Sequence, residues 1–160
     1  MRWCWAVPDF KFEDLQAVPR GLLAAQMADA RVAAHLPLLD GTFDVEAFLQ
    51  AKAQRWAEDG LGHWAIWQGD AFLGWGGFEK EGDVWDFGLV LVPAAFGKGL
   101  AITRQALDFA RGDARIETVQ FLLAPTRRSV KALARMGAKE EGEVRYGGQT
   151  FRRFLLDMRG

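Results

Sequence analysis

The chain has 160 residues, 20 basic and 21 acidic, a formal net charge of −1, and half of its residues are hydrophobic. This length predicts one domain, able to bury most of its unfolded surface without a disulfide or metal staple. The apolar fraction excludes intrinsic disorder, and the near-neutral charge balance argues against nucleic acid as a partner. The longest unbroken apolar stretch, Phe87 to Gly97, falls far short of the ~18 residues of a membrane span, so no membrane partner is expected. The single cysteine, Cys4, excludes an internal disulfide and any multi-cysteine metal site. Asp9, Lys11, Glu13 and Asp14 follow Arg2 with no apolar core between them, unlike a secretory signal. The expectation is a cytoplasmic globular domain spanning residues 1–160.

In chain order, Trp3-Cys4-Trp5 reads as a first strand ended by Pro8. Residues from about Leu22 to His35 read as an Ala-rich helix stopped by Pro37. Thr42 or Asp44 can cap a second helix reaching about Glu58, with Val45, Phe48, Leu49, Lys52 and Trp56 along one side. Gly60 and Gly62 end it. Three strands follow in meander order. They are His63–Gln68, Phe72–Glu79 and Val84–Val92, with turns at Gly69-Asp70 and Gly82-Asp83. Alternation puts Trp85, Phe87, Leu89 and Leu91 on one face of the third strand and Asp86, Gly88, Val90 and Val92 on the other. After Pro93 a helix is predicted from about Gly97 to Arg111. A central strand then spans Ile116–Leu123, a helix Thr126–Met136, and a final hairpin pairs residues 143–145 with Thr150–Asp157 around Gly147-Gly148. Strand–helix–strand pieces in the second half imply a mixed sheet with helices on both faces.

The chemistry is concentrated in Leu89-Val-Leu-Val-Pro-Ala-Ala-Phe-Gly-Lys-Gly-Leu-Ala101, where a strand enters a glycine-bearing loop and opens a helix. Such a helix start attracts anions. The expected cap positions hold Ala94, Ala95 and Phe96, none of which accepts a hydrogen bond through its side chain, so the amides need water or a phosphate. A Walker A loop requires Ser or Thr after Lys98, and Gly99 stands there. A dinucleotide-binding turn requires a third glycine, and Ile102 stands there. A nucleotide-binding domain is the weaker reading on both counts.

Phe96-Gly97-Lys98-Gly99-Leu100-Ala101 resembles the Gln/Arg-x-x-Gly-x-Gly/Ala signature of the GNAT superfamily of acyl-CoA-dependent N-acyltransferases, with Phe96 in place of Gln/Arg. Asp44–Phe48, His63–Trp67 and Phe72–Phe78 are similar to the branch that includes ribosomal-protein N-terminal acetyltransferases. The resemblance covers roughly residues 40–158. It implies an α+β fold with a mixed, mostly antiparallel, splayed sheet of about seven strands flanked by about four helices. It also implies acetyl-CoA as co-substrate, no metal, and acetyl transfer to a primary amine by direct attack in a ternary complex. The amine acceptor can be a small molecule or a protein N-terminus, and the oligomeric state is open. The alternative is a non-catalytic acyl-CoA-binding module with a degenerate site, motivated by Phe96 and Thr126.

By the same resemblance, backbone groups of Leu91 and Val92 meet the pantetheine arm. The amides of Phe96, Gly97, Lys98, Gly99, Leu100 and Ala101 cradle the pyrophosphate, and Thr126 stands where the family has Asn in an Asn-x-x-Ser helix start. Ser129 matches that pattern's serine and is a candidate acid for the leaving thiolate, with Tyr146 and water as alternatives. Arg127, Lys131 and Arg135 form a basic stripe, either solvated or near the 3′-phosphate. An α-amine titrates near ~7.7–8.0 and lysine near ~10.4, so an acceptor amine arrives largely protonated and a base must take its proton. Asp86, two residues before Gly88, stands where the family often has a Glu, and is the candidate base. The acceptor would lie against the first two helices and the final hairpin.

Overall fold

The structure, a computed structural model, describes residues 9–34, 36, 42–124, 130–146 and 148–159. Seven strands form one sheet: β1 (Lys11–Glu13), β2 (His63–Gln68), β3 (Ala71–Glu81), β4 (Val84–Leu91), β5 (Thr118–Leu123), β6 (Lys139–Tyr146) and β7 (Gln149–Asp157). Their order across the sheet is β1-β2-β3-β4-β5-β7-β6. All neighbours pair antiparallel except β4 and β5, which are parallel. Five helices are described: α1 (Arg20–Ala28), α2 (Ala30–Ala33), α3 (Val45–Asp59), α4 (Gly99–Arg111) and α5 (Val130–Arg135). None of them is long and apolar enough to cross a membrane.

The meander β2–β3–β4 stands as its alternation and turn glycines predict, and the final hairpin closes the far edge. The expected α+β mixed sheet is therefore present. The Leu22–His35 helix is not continuous. Asp29 is extended (φ −71°, ψ 124°) and its carboxylate accepts from the Arg31 amide, so it ends α1 and caps α2. This break is why there are five helices rather than four. The predicted strand at Trp3–Trp5 lies outside the described residues, among which the edge strand is Lys11–Glu13. α3 starts as expected, with the Asp44 carboxylate accepting from the Ala47 amide at 3.1 Å. It ends at Gly60, whose φ of 72° suits glycine and whose amide donates to the Trp56 carbonyl.

Helices cover both sheet faces. On one, Leu23 and Met27 of α1 and Leu49 of α3 pack with Ala65 and Trp75. On the other, Ala106, Leu107 and Ala110 of α4 and Leu133 of α5 pack with Phe78, Trp85, Val119, Phe121 and Phe154. A third cluster joins Ile102 at the start of α4 to Ile66, Leu73 and Leu91. These clusters fix where β4 ends, where α4 begins, and which face carries the polar row of β4.

Candidate active site

β4 and β5 pair over only two residues, Trp85 with Val119 and Asp86 with Gln120. Beyond Asp86, β4 runs on to Leu91 with β3 alone, while β5 continues along β7. The two strands therefore splay from Asp86 outward, and among the described residues no strand pairs with the second edge of Phe87–Leu91. The Val92 amide donates to the Leu73 carbonyl at 2.8 Å. Strand alternation then turns the N–H and C=O of Leu91 toward the gap. Val92 itself has both backbone groups engaged, because its carbonyl also accepts from Ala95.

The loop after β4 is a 3-10 turn, Pro93–Lys98, that runs directly into α4. Proline at its first position has the right φ and no N–H to satisfy. The α-helix therefore starts at Gly99 rather than Gly97. Its cap residue, Lys98, makes no side-chain cap hydrogen bond, and the first turn holds no acidic residue. Among the described residues no side chain accepts from the amides at this end, and no acidic side chain of the first turn faces the helix dipole. Gly97 is exposed and a Cβ there would meet nothing within 4 Å. At Gly99 (φ −58°) the nearest atom to a Cβ would be Leu91 Cδ1 at 3.7 Å. Neither backbone conformation nor packing against the described residues requires glycine at 97 or 99. Phe96 and Leu100 are exposed, Ala101 is half-buried, and Lys98 Nζ bonds the Gln68 side-chain oxygen at the end of β2.

Asp86 is the last paired residue before the strands part, on the opposite face from Trp85 and Phe87. It is half-buried, and burial pushes its carboxyl up to about 6. The Gln120 amide, donating to Asp86 Oδ1 at 3.0 Å, opposes that rise, and the nearby Glu81 and Glu79 carboxylates add to it. Glu79 is the cross-strand partner of Asp86. Beside it lies a compact ionisable group. Lys52 Nζ is 3.1 Å from Glu79 Oε2 and 3.0 Å from His63 Nδ1, and His63 Nε2 is 3.6 Å from Glu79 Oε1. Burial, then the Lys52 and Arg55 charges, hold the His63 imidazole well below its usual range, so it is neutral. With Lys52 donating to Nδ1, the proton of a neutral ring lies on Nε2. That ring fills the space over Gly88, where a Cβ would come within 3.2 Å of Cε1 and Nε2. Burial lowers the Lys52 ammonium as well, against the pull of Glu79.

Leu91, Phe96, Gly97, Lys98, Gly99, Leu100 and Ala101 thus gather at the open end of the gap, and Asp86 sits at its vertex. Thr126 and Ser129, with Arg127, lie outside the described residues. Lys131 and Arg135 are exposed on α5, and Tyr146 is exposed at the end of β6. Sequence reasoning passed over Gln120, Lys52, Glu79 and Gln26. The signals were present: Gln120 is the one polar residue inside the strand Val119–Leu123, and Lys52 sits in an otherwise apolar helix stripe. Gln26 of α1 reaches across to donate to the Val90 carbonyl at 2.9 Å.

No curated protein matches the chain. Among solved structures, an acetyltransferase from Agrobacterium tumefaciens str. C58 superposes with a TM-score of 0.72 at 15% identity, covering 92% of this chain and 90% of its own. Spermidine N-acetyltransferase from Vibrio cholerae, in complex with CoA and spermine, gives 0.73 at 10% identity, covering 94% and 95%. AAC(6′)-Ib in complex with paromomycin and acetyl-CoA gives 0.71 at 12% identity, covering 94% and 93%. At these identities the likeness establishes the fold. The acetyltransferase (GNAT) domain family matches residues 11–139, most of the chain, and the chain belongs to that family.

Proposed function

We propose that this chain moves an acetyl group from acetyl-CoA to a primary amine, with Asp86 accepting the proton that the amine must lose. The observation that carries the reading is the strand gap. An open β4 edge leads to a helix start without a side-chain cap, and a carboxylate stands at the closed end on the other face. These residues fit the co-substrate. The open edge around Leu91 suits an extended amide-bearing arm. The space over Gly97 and Gly99, with the first-turn amides of α4 and the Lys98 charge, suits a pyrophosphate. When bound there, acetyl-CoA supplies an acyl group activated as a thioester.

The chain's own contribution is position and proton handling. A carboxyl held up to about 6 is mostly ionised at pH 7 and so can accept a proton. It is also a better base than an ordinary aspartate. Its short side chain favours reaching the ammonium through one water. Ser129, which matches the family pattern, is assigned as a donor to the departing thiolate, and Thr126, which stands in place of the family's Asn, to the co-substrate side.

The acceptor is a small cationic amine or a protein N-terminus. The first reading draws support from the fold neighbours that carry spermine or paromomycin. The second draws support from the likeness of residues 44–48, 63–67 and 72–78 to N-terminal acetyltransferases. The test is a panel of polyamines, aminoglycosides, amino acids and short peptides with acetyl-CoA, read by free-thiol release. Amine-dependent thiol release supports transfer. CoA binding without release across the panel points to the non-catalytic module.

A further inference from the structure

Gln120 is 7% exposed on β5, in a strand otherwise made of Val, Phe and Leu from Val119 to Leu123. Its two amide ends are both engaged. Nε2 donates to Asp86 Oδ1 at 3.0 Å, and Oε1 accepts from Arg153 Nε of β7 at 2.7 Å. The link crosses three adjacent strands and sits at the final β4–β5 pair before they part. Its direction is not arbitrary. A guanidinium only donates, so it must face the amide oxygen, and this leaves the amide N–H groups for the carboxylate.

We propose that Gln120 and Arg153 act as a positioning relay for Asp86, Arg153 locking the Gln120 amide so that its N–H holds and stabilises the ionised carboxylate at the mouth of the strand gap. The proposal rests on the reading of Asp86 as the proton acceptor only for its catalytic consequence. The two ends of a carboxamide are nearly the same size. Without Arg153 the amide oxygen loses its donor and the amide is no longer held, so its N–H contact with the carboxylate loosens. A buried strand position that needs only volume would be filled by Leu or Met at no desolvation cost. The other charged groups around Asp86 do not duplicate this role. Glu79 and Glu81 of β3 repel it; the Lys52 charge on α3 also favours the ionised Asp86, but its ammonium bonds Glu79 rather than Asp86, and Arg55 pairs with Glu81 and Glu79. His63 of β2 is neutral.

The test is an NMR titration of the Asp86 side-chain carboxyl, assigned by its loss in Asp86→Asn. It is run on the full chain and on Gln120→Met, Arg153→Met and the double variant. A lost hydrogen bond to a charged group should raise the Asp86 midpoint by about one pH unit in each single variant. The double variant should move no further, because Arg153 acts through Gln120. A midpoint shift under about 0.3 unit in Arg153→Met overturns the relay. So does an additive double variant, which would mean that Arg153 acts by charge alone. If Gln120→Met fails to fold, Arg153→Met at the half-buried end decides alone. The acid limb of kcat/KM should move with the midpoint. A midpoint that shifts while the limb stays fixed leaves the relay standing and removes Asp86 from catalysis.

Discussion

Asp86 and Glu79 stand directly opposite each other on neighbouring antiparallel strands, two carboxylates on one face of the sheet. Cross-strand side chains at such positions lie close enough to interact. Lys52 sits 3.1 Å from Glu79 and supplies a counter-charge there, whereas Asp86 has a neutral amide as its hydrogen-bond partner. The environments of the pair are therefore different, and for Asp86 burial is the largest influence, raising its carboxyl to about 6.

Asp86→Asn keeps the shape and removes the base. Acetyl-CoA affinity should stay near wild type, because the α4 start is at the other end of the gap. Turnover at pH 7 should fall on the order of 10²-fold or more. The deficit should shrink as pH approaches the pKa of the acceptor amine, which then arrives neutral. Steady-state rates from pH 6 to 9.5 check this, and full activity at pH 7 would move the base elsewhere.

Gly99→Val tests the helix start. The backbone at Gly99 is ordinary αR and the nearest protein atom to a Cβ is 3.7 Å away, so the variant should fold with unchanged thermal stability. The branched side chain would project over the first-turn amides. Calorimetric CoA affinity should drop at least tenfold, about 1.4 kcal/mol. Unchanged affinity would remove the pyrophosphate from residues 97–101.

The meander, α3 with both caps and the final hairpin were legible because alternation, turn glycines and Asp44 all agree locally. The Asp29 break was not, since an Ala-rich run hides one capping aspartate. The start of α4 was misplaced by two residues because Pro93-Ala94-Ala95 forms a 3-10 turn that no periodicity marks. Asp86 was singled out by likeness to the family's Glu before a Gly, and it lies at the last β4–β5 pair. Its partners were not, because Gln120, Glu79, Lys52 and Arg153 come from four other elements. Only the sheet order, with β7 inserted between β5 and β6, brings Arg153 beside Gln120.

Lys98→Ala tests charge at the cradle. The side chain bonds an uncharged amide, Gln68, so its charge is not neutralised by that contact. The variant should weaken CoA several-fold and flatten the dependence of affinity on salt between 50 and 500 mM. An unchanged salt slope would show that Lys98 serves only to tie the loop to β2.

Lys52→Met tests the buried ionic group. The methionine fills the space between Phe48 and Trp75 and leaves Glu79 without its ammonium partner. The cost at pH 8 should be about 1–3 kcal/mol. His63 has its folded-state pKa depressed, so in the wild type it lowers stability as pH falls through ~6.5, where the unfolded imidazole takes up a proton. Loss of the Lys52 charge relieves part of that depression and lets an imidazolium pair with Glu79. The cost should therefore shrink between pH 8 and pH 5. Denaturant melts at the two pH values check it, and a cost that grows toward pH 5 would refute the assignment.

Asp86→Asn also has a stability consequence of opposite sign to its kinetic one. The Asp86 pKa is raised from 3.8 to about 6 on folding, chiefly by burial. The native state therefore binds more protons than the unfolded state between those values, and stability falls as pH rises through that window. Above pH ~6 the folded chain carries the full penalty of an ionised, half-buried carboxylate. The asparagine carries no such charge and can still accept from Gln120. Asp86→Asn should be more stable than wild type at pH 7.5 by on the order of 2 kcal/mol, and the gain should vanish near pH 4. Matched urea titrations at pH 4 and 7.5 measure it. A variant that is inactive and equally or less stable at pH 7.5 would mean that the carboxylate is well solvated in the folded chain. A gain in stability coupled to a loss of turnover is the pattern expected where a strained group is kept for its chemistry.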